Sequence, residues 1–300
     1  MPTFSTPAPI SAIIELGVGD FRVIATDRAD TVVEVRPSDP SKPADVTAAE
    51  QTRVEYANGT LLVKAPKNWK YYSPRGAKES VDVEIELPSG SHVQAEAGVA
   101  AFRAQGRLGD CRFKNGVGDV RLEQVGALQV KIGGGDISVD RATGHTDITT
   151  GSGLVHVGAV EATAVIKDSN GDIRLGEVTG ELRVTAANGE IAVDRAGSTV
   201  VAKTANGDIR VGEVARGSVS VTTASGSLEI GIHHGTAAWL DLRTHYGTVY
   251  NNLDATEAPA PGVTSVEVHA RTSFGDIAVH RSGASAPSNG RAEAEPGDAP

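Results

Sequence analysis

The fold is decided by three stretches of sequence, NGDIRL at residues 170–175, NGEIAV at residues 188–193 and NGDIRV at residues 206–211. Each stretch has an asparagine, a glycine and an acidic residue, and apolar residues follow at alternate positions. Related stretches continue in both directions, and seven of their glycines are separated by 17, 18, 18, 18, 18 and 19 residues. These glycines are Gly118, Gly135, Gly153, Gly171, Gly189, Gly207 and Gly226. A period this regular is the signature of a repeat architecture, in which each repeat forms one structural unit.

Each repeat contains two segments in which apolar and polar residues alternate. The first segment follows the glycine, as in Ile173 and Leu175, and the second precedes the next glycine, as in Leu182 and Val184. Alternation with a period of two predicts a β-strand that is buried on one side. One repeat is therefore expected to read strand, corner, strand, corner.

Two topologies accommodate such a repeat. The two strands could pair with each other as hairpins of a meander, or each strand could stack on its equivalent one repeat later. Asn170, Asn188 and Asn206 occupy the same corner position in successive repeats. In a coil they would lie about 4.8 Å apart and form an amide ladder, whereas a meander gives no reason for like residues at this interval. We therefore predict an all-β fold, a parallel β-solenoid (single-chain β-helix) with coils of about 18 residues and a cap at both ends.

The repeats suggest three regions. Residues 1–90 are predicted to be a strand-rich N-terminal region and cap, residues 91–281 the β-solenoid with irregular C-terminal coils, and residues 282–300 a disordered tail by composition. An aromatic and basic segment contains Trp69, Tyr71 and Tyr72. We expect it to cover the N-terminal edge of the solenoid, because an open coil exposes unpaired strand edges. Contact with a partner or ligand is the alternative.

The acidic residue after each glycine is the most repetitive charged feature. Asp172, Glu190 and Asp208 are expected to point outward, and Arg174 and Arg210 follow two residues after an acid. Such a surface charge ladder would neutralise itself across neighbouring coils. The acid recurs once per repeat of about 18 residues, whereas calcium-binding rolls use nonapeptide repeats. The sequence thus predicts no metal site, no cofactor and no catalytic residue.

Composition restricts the function classes further. The formal net charge is −10, and the sequence has no basic cluster of the kind that neutralises phosphates, so a nucleic acid partner is not expected. The single cysteine, Cys111, is expected to be a small buried hydrophobe. No apolar run approaches the ~18 residues of a membrane span, and the N-terminus lacks the pattern of a secretory signal. A cytoplasmic location without membrane insertion is the resulting expectation.

The run VDVEIELP at residues 81–88, followed by repeated Asn-Gly-Asp-Ile stretches, resembles a known family. It is similar to the adhesin-like β-strand-repeat proteins of bacteria that are grouped as domain of unknown function 4097. The resemblance implies a β-solenoid without an established enzymatic activity. We therefore predict a non-enzymatic, adhesin-like scaffold or binding protein that presents an extended surface to an unknown protein or glycan, with self-association as a further option. The alternative is a carbohydrate-binding or carbohydrate-active β-helix.

Overall fold

Parallel strands stacked in two walls make up most of the molecule. The computed structural model describes residues 1–66, 79–254 and 264–283. In the regular part, each strand pairs in parallel with the equivalent strand one repeat later; Ile173 pairs with Ile191, and Leu182 pairs with Val200. The predicted parallel β-solenoid is thereby confirmed. The hairpin meander is wrong, because its pairing within a repeat would be antiparallel.

The described elements are one helix and 26 strands. The N-terminal region contains β1 (Thr3–Ser5), β2 (Ser11–Glu15), β3 (Val18–Thr26), β4 (Asp30–Pro37), α1 (Pro43–Gln51), β5 (Arg53–Ala57), β6 (Thr60–Lys64) and β7 (Val81–Pro88). The middle contains β8 (His92–Arg107), β9 (Cys111–Val117), β10 (Val120–Val125), β11 (Leu128–Gly134), β12 (Ile137–Ala142), β13 (Thr146–Thr149), β14 (Val155–Val160), β15 (Ala164–Lys167), β16 (Ile173–Val178), β17 (Leu182–Thr185), β18 (Ile191–Ala196), β19 (Val200–Lys203), β20 (Ile209–Val214), β21 (Gly217–Thr222) and β22 (Leu228–Ile232). The C-terminal part contains β23 (Ala237–Tyr246), β24 (Val249–Asn251), β25 (Ser265–Phe274) and β26 (Ile277–Arg281).

The strands form two walls that share one core. The first wall runs in the order β5, β6, β2, the first half of β8, β9, β11, β13, β15, β17, β19, β21, β25 and β23. The second wall runs in the order β1, β4, β7, β3, the second half of β8, β10, β12, β14, β16, β18, β20, β22, β26 and β24.

The core lies between the walls and consists mainly of aliphatic side chains. Alternate residues of each strand point inward, so that Ile173, Leu182, Ile191 and Val200 are almost fully buried. Aliphatic columns of similar size repeat from coil to coil and fill the narrow interior. This explains why the middle of the chain needs few aromatic residues.

The N-terminal end is closed by antiparallel strands. The strand β4 pairs antiparallel with β7, β1 pairs antiparallel with β4, and β5 pairs antiparallel with β6. The helix α1 packs beside β4 and β7. The sequence analysis predicted a strand-rich cap in this region but not the helix, β1 or β5. The residues Trp69, Tyr71 and Tyr72, predicted as a cover, lie outside the described residues.

Both ends contain a coil that is out of sequence order. At the N-terminal end, the coil of β2 and β3 lies between the coil of β6 and β7 and the coil of β8. At the C-terminal end, the coil of β25 and β26 lies between the coil of β21 and β22 and the coil of β23 and β24. The last coil of the stack is thus formed by residues 237–251 and not by the last strands of the sequence.

Candidate functional site

The three asparagines predicted for a ladder lie at one exposed corner. Asn188 Nδ2 donates to Asn170 Oδ1 at 2.8 Å, and Asn206 Nδ2 donates to Asn188 Oδ1 at 2.9 Å. The same corner position continues to Ser152 on one side and to Ser225 on the other. The side-chain amides hydrogen-bond to one another and in this way link adjacent coils.

The acids that follow the corner glycines also hold coils together. Asp172 Oδ1 accepts the backbone N–H of Glu190 at 3.0 Å, and Asp208 Oδ1 accepts that of Ser227 at 2.7 Å. Asp119 and Asp136 make the same contact with the coil that follows them. Charge-assisted hydrogen bonds to backbone N–H groups are stronger than neutral ones. The sequence analysis missed this role, because it treated the acids only as outward surface charges.

The arginines of the predicted charge ladder are close to these acids, but not in one uniform pattern. Arg174 lies 3.9 Å from Asp172 in the same coil. Arg210 has its nearest acid in Glu229 of the next coil, at 3.8 Å. Both arginines are mostly exposed, and exposed ion pairs contribute little stability.

The single cysteine is poorly suited to act as a nucleophile. Cys111 is buried, and this burial raises the pKa of its thiol to about 12, which disfavours the thiolate that a nucleophile requires. Within residues 1–66, 79–254 and 264–283, no group of three or more His, Cys, Asp or Glu side chains could hold a metal ion. No helix in those ranges is long and apolar enough to cross a membrane.

The first wall carries a row of basic side chains on its outer surface. The row occupies the position four residues before each corner glycine, and strand pairing stacks its members in register. In spatial order the members are Lys114, Lys131, Thr149, Lys167, Thr185, Lys203, Thr222, Arg271 and Arg243. We call this set the basic row. From Lys131 to Lys203, lysine alternates with threonine, so successive lysines there are two strands or roughly 10 Å apart.

The three middle lysines of the basic row are exposed and available to a ligand. Across the described chain, Lys131, Lys167 and Lys203 have no ion-pair partner within 4.0 Å, whereas Lys114 lies 2.8 Å from Glu96. The adjacent outward column of the same wall adds Arg112 and Arg183 and one acid, Asp147. Between β9 and β19, the outward side chains of these two columns thus comprise six bases and one acid, a net of +5. This is a concentrated positive surface on a protein whose formal net charge is −10.

A shallow groove of about 680 Å³ lies beside the start of the basic row. Its lining includes Gln94, Gln129, His92 and Arg112, which offer hydrogen-bond donors and acceptors, and also the two acids Asp110 and Asp147. Because this groove and the basic row lie on the same wall, one extended ligand could contact both.

The opposite end of the row meets a cluster around Asp241. The Asp241 carboxylate accepts from Arg243 at 2.8 Å and lies 3.4 Å from Arg271 and 3.6 Å from His269. These donors, with Arg243 the strongest, lower the pKa of Asp241. Trp239 packs edge-on to His269, with their ring centres 5.3 Å apart.

The basic row was missed because neighbouring members of the row are 17 to 49 residues apart in sequence, so no local cluster marks them. A signal was nevertheless present, since Lys131, Lys167 and Lys203 stand four residues before Gly135, Gly171 and Gly207. Aligning the repeats on their glycines would have revealed the column.

A family model covers residues 14–280 of the chain, from within β2 to within β26. The chain belongs to the Toastrack DUF4097 family. The resemblance seen in the sequence is therefore confirmed. This Toastrack protein is also similar to two crystal structures called "putative adhesin". One is from Parabacteroides merdae (13% identity, 93% of this chain and 94% of that chain covered, TM-score 0.42) and one from Parabacteroides distasonis (15%, 93% and 95%, TM-score 0.43).

A third similar structure, from Parabacteroides distasonis, is called a "putative lipid binding protein". It shares 12% identity, with 93% of this chain and 95% of that chain covered and a TM-score of 0.29. No curated protein matches this Toastrack chain.

Proposed function

We propose that this Toastrack protein is a non-enzymatic, adhesin-like binding protein that holds an acidic polysaccharide along its basic row. The observation that carries the proposal is the set of exposed lysines stacked along one wall, which have no ion-pair partner among the described residues, in a protein with an acidic net charge. Lysines two strands apart still repel one another at low salt, because exposed charges interact over about 10 Å at 0.1 M ionic strength. A bound polyanion would relieve that repulsion.

The spacing of the row favours a linear ligand with regularly spaced charges. Lys131, Lys167 and Lys203 are separated by roughly 10 Å, about the length of an extended disaccharide. Between them, Thr149 and Thr185 present hydroxyl groups that can donate to and accept from sugar hydroxyls. A polysaccharide with one carboxylate per disaccharide would therefore match both the charged and the neutral positions.

The arrangement of the acids supports binding over the carbohydrate-active alternative. Most glycosidases need two carboxyl groups facing each other across the scissile bond, about 5 to 10 Å apart. In the described coils from β9 to β19, Asp147 is the one outward acid on the strands of the first wall. The other acid that lines the groove, Asp110, lies at a corner, and its Oδ1 accepts the backbone N–H of Ala127 at 3.0 Å. Four of the acids that follow the glycines, Asp119, Asp136, Asp172 and Asp208, each accept a backbone N–H group.

Binding to hyaluronate, which has one carboxylate per disaccharide, tests the proposal by calorimetric titration at low salt. The test variant replaces Lys131, Lys167 and Lys203 with threonine, which the fold already holds at alternate positions of this row. The matched control replaces Arg121, Arg174 and Arg210 of the second wall with threonine and removes the same charge. With three exposed pairs of about 0.5 kcal/mol each, the test variant should bind roughly tenfold more weakly, and the control should bind like wild type.

Several results would overturn the proposal. Hyaluronate could fail to bind, or both triple variants could weaken binding equally, which would indicate an effect of net charge alone. Equal affinity for single-stranded DNA of the same charge would show that the row does not select polysaccharide. Release of new reducing ends during incubation would favour the carbohydrate-active alternative. Added salt should weaken binding, because exposed charges are screened.

A further inference from the structure

The C-terminal end of the stack presents an open strand edge. The strand β23 (Ala237–Tyr246) pairs with β25 on one side, and no described residue pairs with its other side. The N-terminal end differs, because antiparallel strands cover it. An unpaired edge of ten residues is a template for pairing with another chain.

The direction of the backbone groups limits how a second strand can pair. The N–H of Ala237 donates to Thr264 O in the loop before β25, at 3.0 Å. The N–H and C=O groups of successive residues point to opposite sides of a strand. The backbone groups of Ala238, Leu240, Leu242 and Thr244 therefore point toward the open edge. In an antiparallel pair, these even-numbered residues must face even-numbered residues of the second strand.

We infer that β23 pairs with β23 of a second copy of this chain, antiparallel, about a twofold axis at Leu242. Of the registers that the backbone permits near the strand centre, this one places Asp241 opposite Arg243 of the second copy, twice. A shift of the axis to position 241 would place Asp241 opposite Asp241, and a shift to position 243 would place Arg243 opposite Arg243. Like charges directly opposite destabilise a sheet, and opposite charges stabilise it. Charge complementarity therefore selects both the occupant and the register.

Exposed aromatic side chains at the same end support this pairing. Trp239 is 57% exposed, and the proposed register places it opposite His245 of the second copy. Tyr246 and Phe274 are 69% and 58% exposed and stack on each other with ring centres 5.0 Å apart. Large exposed aromatic groups concentrated in one region are typical of interaction surfaces. Two copies would form one rod of roughly twice the ~55 Å length of the twelve-coil stack.

Charge-reversal variants test the inference by sedimentation equilibrium over a range of protein concentrations. Wild type should show a concentration-dependent dimer. Arg243→Asp alone should be monomeric, because acids would face acids, and Asp241→Arg alone should be monomeric, because bases would face bases. An equimolar mixture of the two variants should dimerise, because each Asp–Arg pair is restored between chains. Lys203→Asp makes the same charge change three strands from the end and should dimerise like wild type.

The mixture separates loss of pairing from loss of folding. Misfolded variants could not regain a dimer on mixing, and circular dichroism of each variant should match wild type. Wild type that stays monomeric at every concentration would overturn the inference, as would variants that dimerise alone. Natively folded variants that stay monomeric when mixed would overturn the register. These measurements use no polysaccharide, so their outcome is independent of the proposed function.

Discussion

At the scale of single residues, the corner glycines set how closely two coils can approach. Gly189 has a φ of +124°, and a Cβ at this position would lie 2.1 Å from the carbonyl oxygen of Gly171 in the preceding coil. The next glycine along the stack, Gly207, has the same contact with Gly189, at 2.0 Å. A side chain at such a corner would force the two backbones apart.

Gly189→Ala should therefore destabilise the protein by about 3 kcal/mol or more, since an overpacked site against backbone cannot relax easily. Gly59→Ala is the matched control, because its φ is +76° but no atom lies within 4 Å of the added Cβ. It should lose only about 1 kcal/mol, the cost of placing a side chain in left-handed backbone. Urea unfolding of both variants measures the difference, and equal losses would show that the close approach is unimportant.

Asp168 is a second residue whose burial and hydrogen bonding depend on how adjacent coils stack. It is 6% exposed, and its Oδ2 atom is buried without a hydrogen-bond partner in the described structure. The equivalent residues of other coils are Thr150 and Thr204, whose hydroxyls donate to the backbone oxygens of Ser152 and Asn206. An ionised carboxylate cannot donate in this way. Burial raises the pKa of Asp168 above its ordinary value.

Asp168→Thr should stabilise the protein at pH 7 by about 1–3 kcal/mol, the cost of an unsatisfied buried polar atom. A carboxyl whose pKa is raised by folding favours the folded state below its unfolded-state pKa, and this advantage is lost as the pH rises through the folded-state pKa. Because the pKa of Asp168 is raised, its carboxyl takes up a proton at a higher pH than an ordinary aspartate does. The gain from threonine should therefore already shrink before the pH has fallen to about 4, the ordinary aspartate pKa. Urea unfolding of wild type and variant between pH 4 and pH 8 measures this difference in stability. A gain that is independent of pH would contradict this explanation.

At the scale of strands and corners, the acid after the glycine links one coil to the next. Asp172→Asn keeps an oxygen that can accept the N–H of Glu190, whereas Asp172→Ala removes it. The alanine variant should lose about 1 kcal/mol, as is usual for a lost hydrogen bond, and the asparagine variant should lose clearly less. Thermal melts of both variants, with chelator and with millimolar calcium, should show this order and no effect of calcium. A calcium-induced rise in Tm of wild type would instead make the acids metal ligands.

The swapped C-terminal coils give a second prediction at this scale. The strand β25 is paired on both sides, and its Val268 and Ala270 are fully buried. The strand β23 lies at the end, and its Leu240 is only partly buried. Amide hydrogens of residues 265–274 should therefore exchange more slowly than those of residues 237–246, although they are nearer the C-terminus. Hydrogen exchange of dilute protein, read by mass spectrometry of peptides, measures the order; faster exchange in residues 265–274 would contradict the swap.

At the scale of the whole molecule, the uneven distribution of charge should affect stability. Lys131 lies directly beside Lys114 in the basic row, whereas Lys64, in line with that row, lies 2.8 Å from Glu15. Lys131→Thr should raise Tm at low salt by removing a repulsion, and Lys64→Thr should lower it by removing an attraction. Each substitution should change the free energy of unfolding by roughly 0.2–1 kcal/mol. Both differences should nearly vanish in 1 M salt, where the Debye length is about 3 Å. Changes in Tm of the same sign in both variants would show that local packing, and not charge, determines the effect of these substitutions.

The sequence by itself determined the coil. The repeat of about 18 residues and the alternation within it are local patterns, and they suffice to predict the strands, the inward columns and the stacking of Asn170, Asn188 and Asn206. These features follow from the geometry of a pleated strand, in which every second side chain faces the core. The assignment of residues 1–90, 91–281 and 282–300 to three regions stays a prediction.

Only the tertiary structure decided how the ends are built and which charges meet. The positions of β2 and β25 inside the stack depend on long connections, and the cost of closing a loop rises slowly with its length, so the sequence carries no signal of the order. The basic row joins residues such as Lys131 and Lys203 that are far apart along the chain. Parallel pairing at a spacing of about 4.8 Å places them side by side, and so turns charges dispersed in the sequence into one surface.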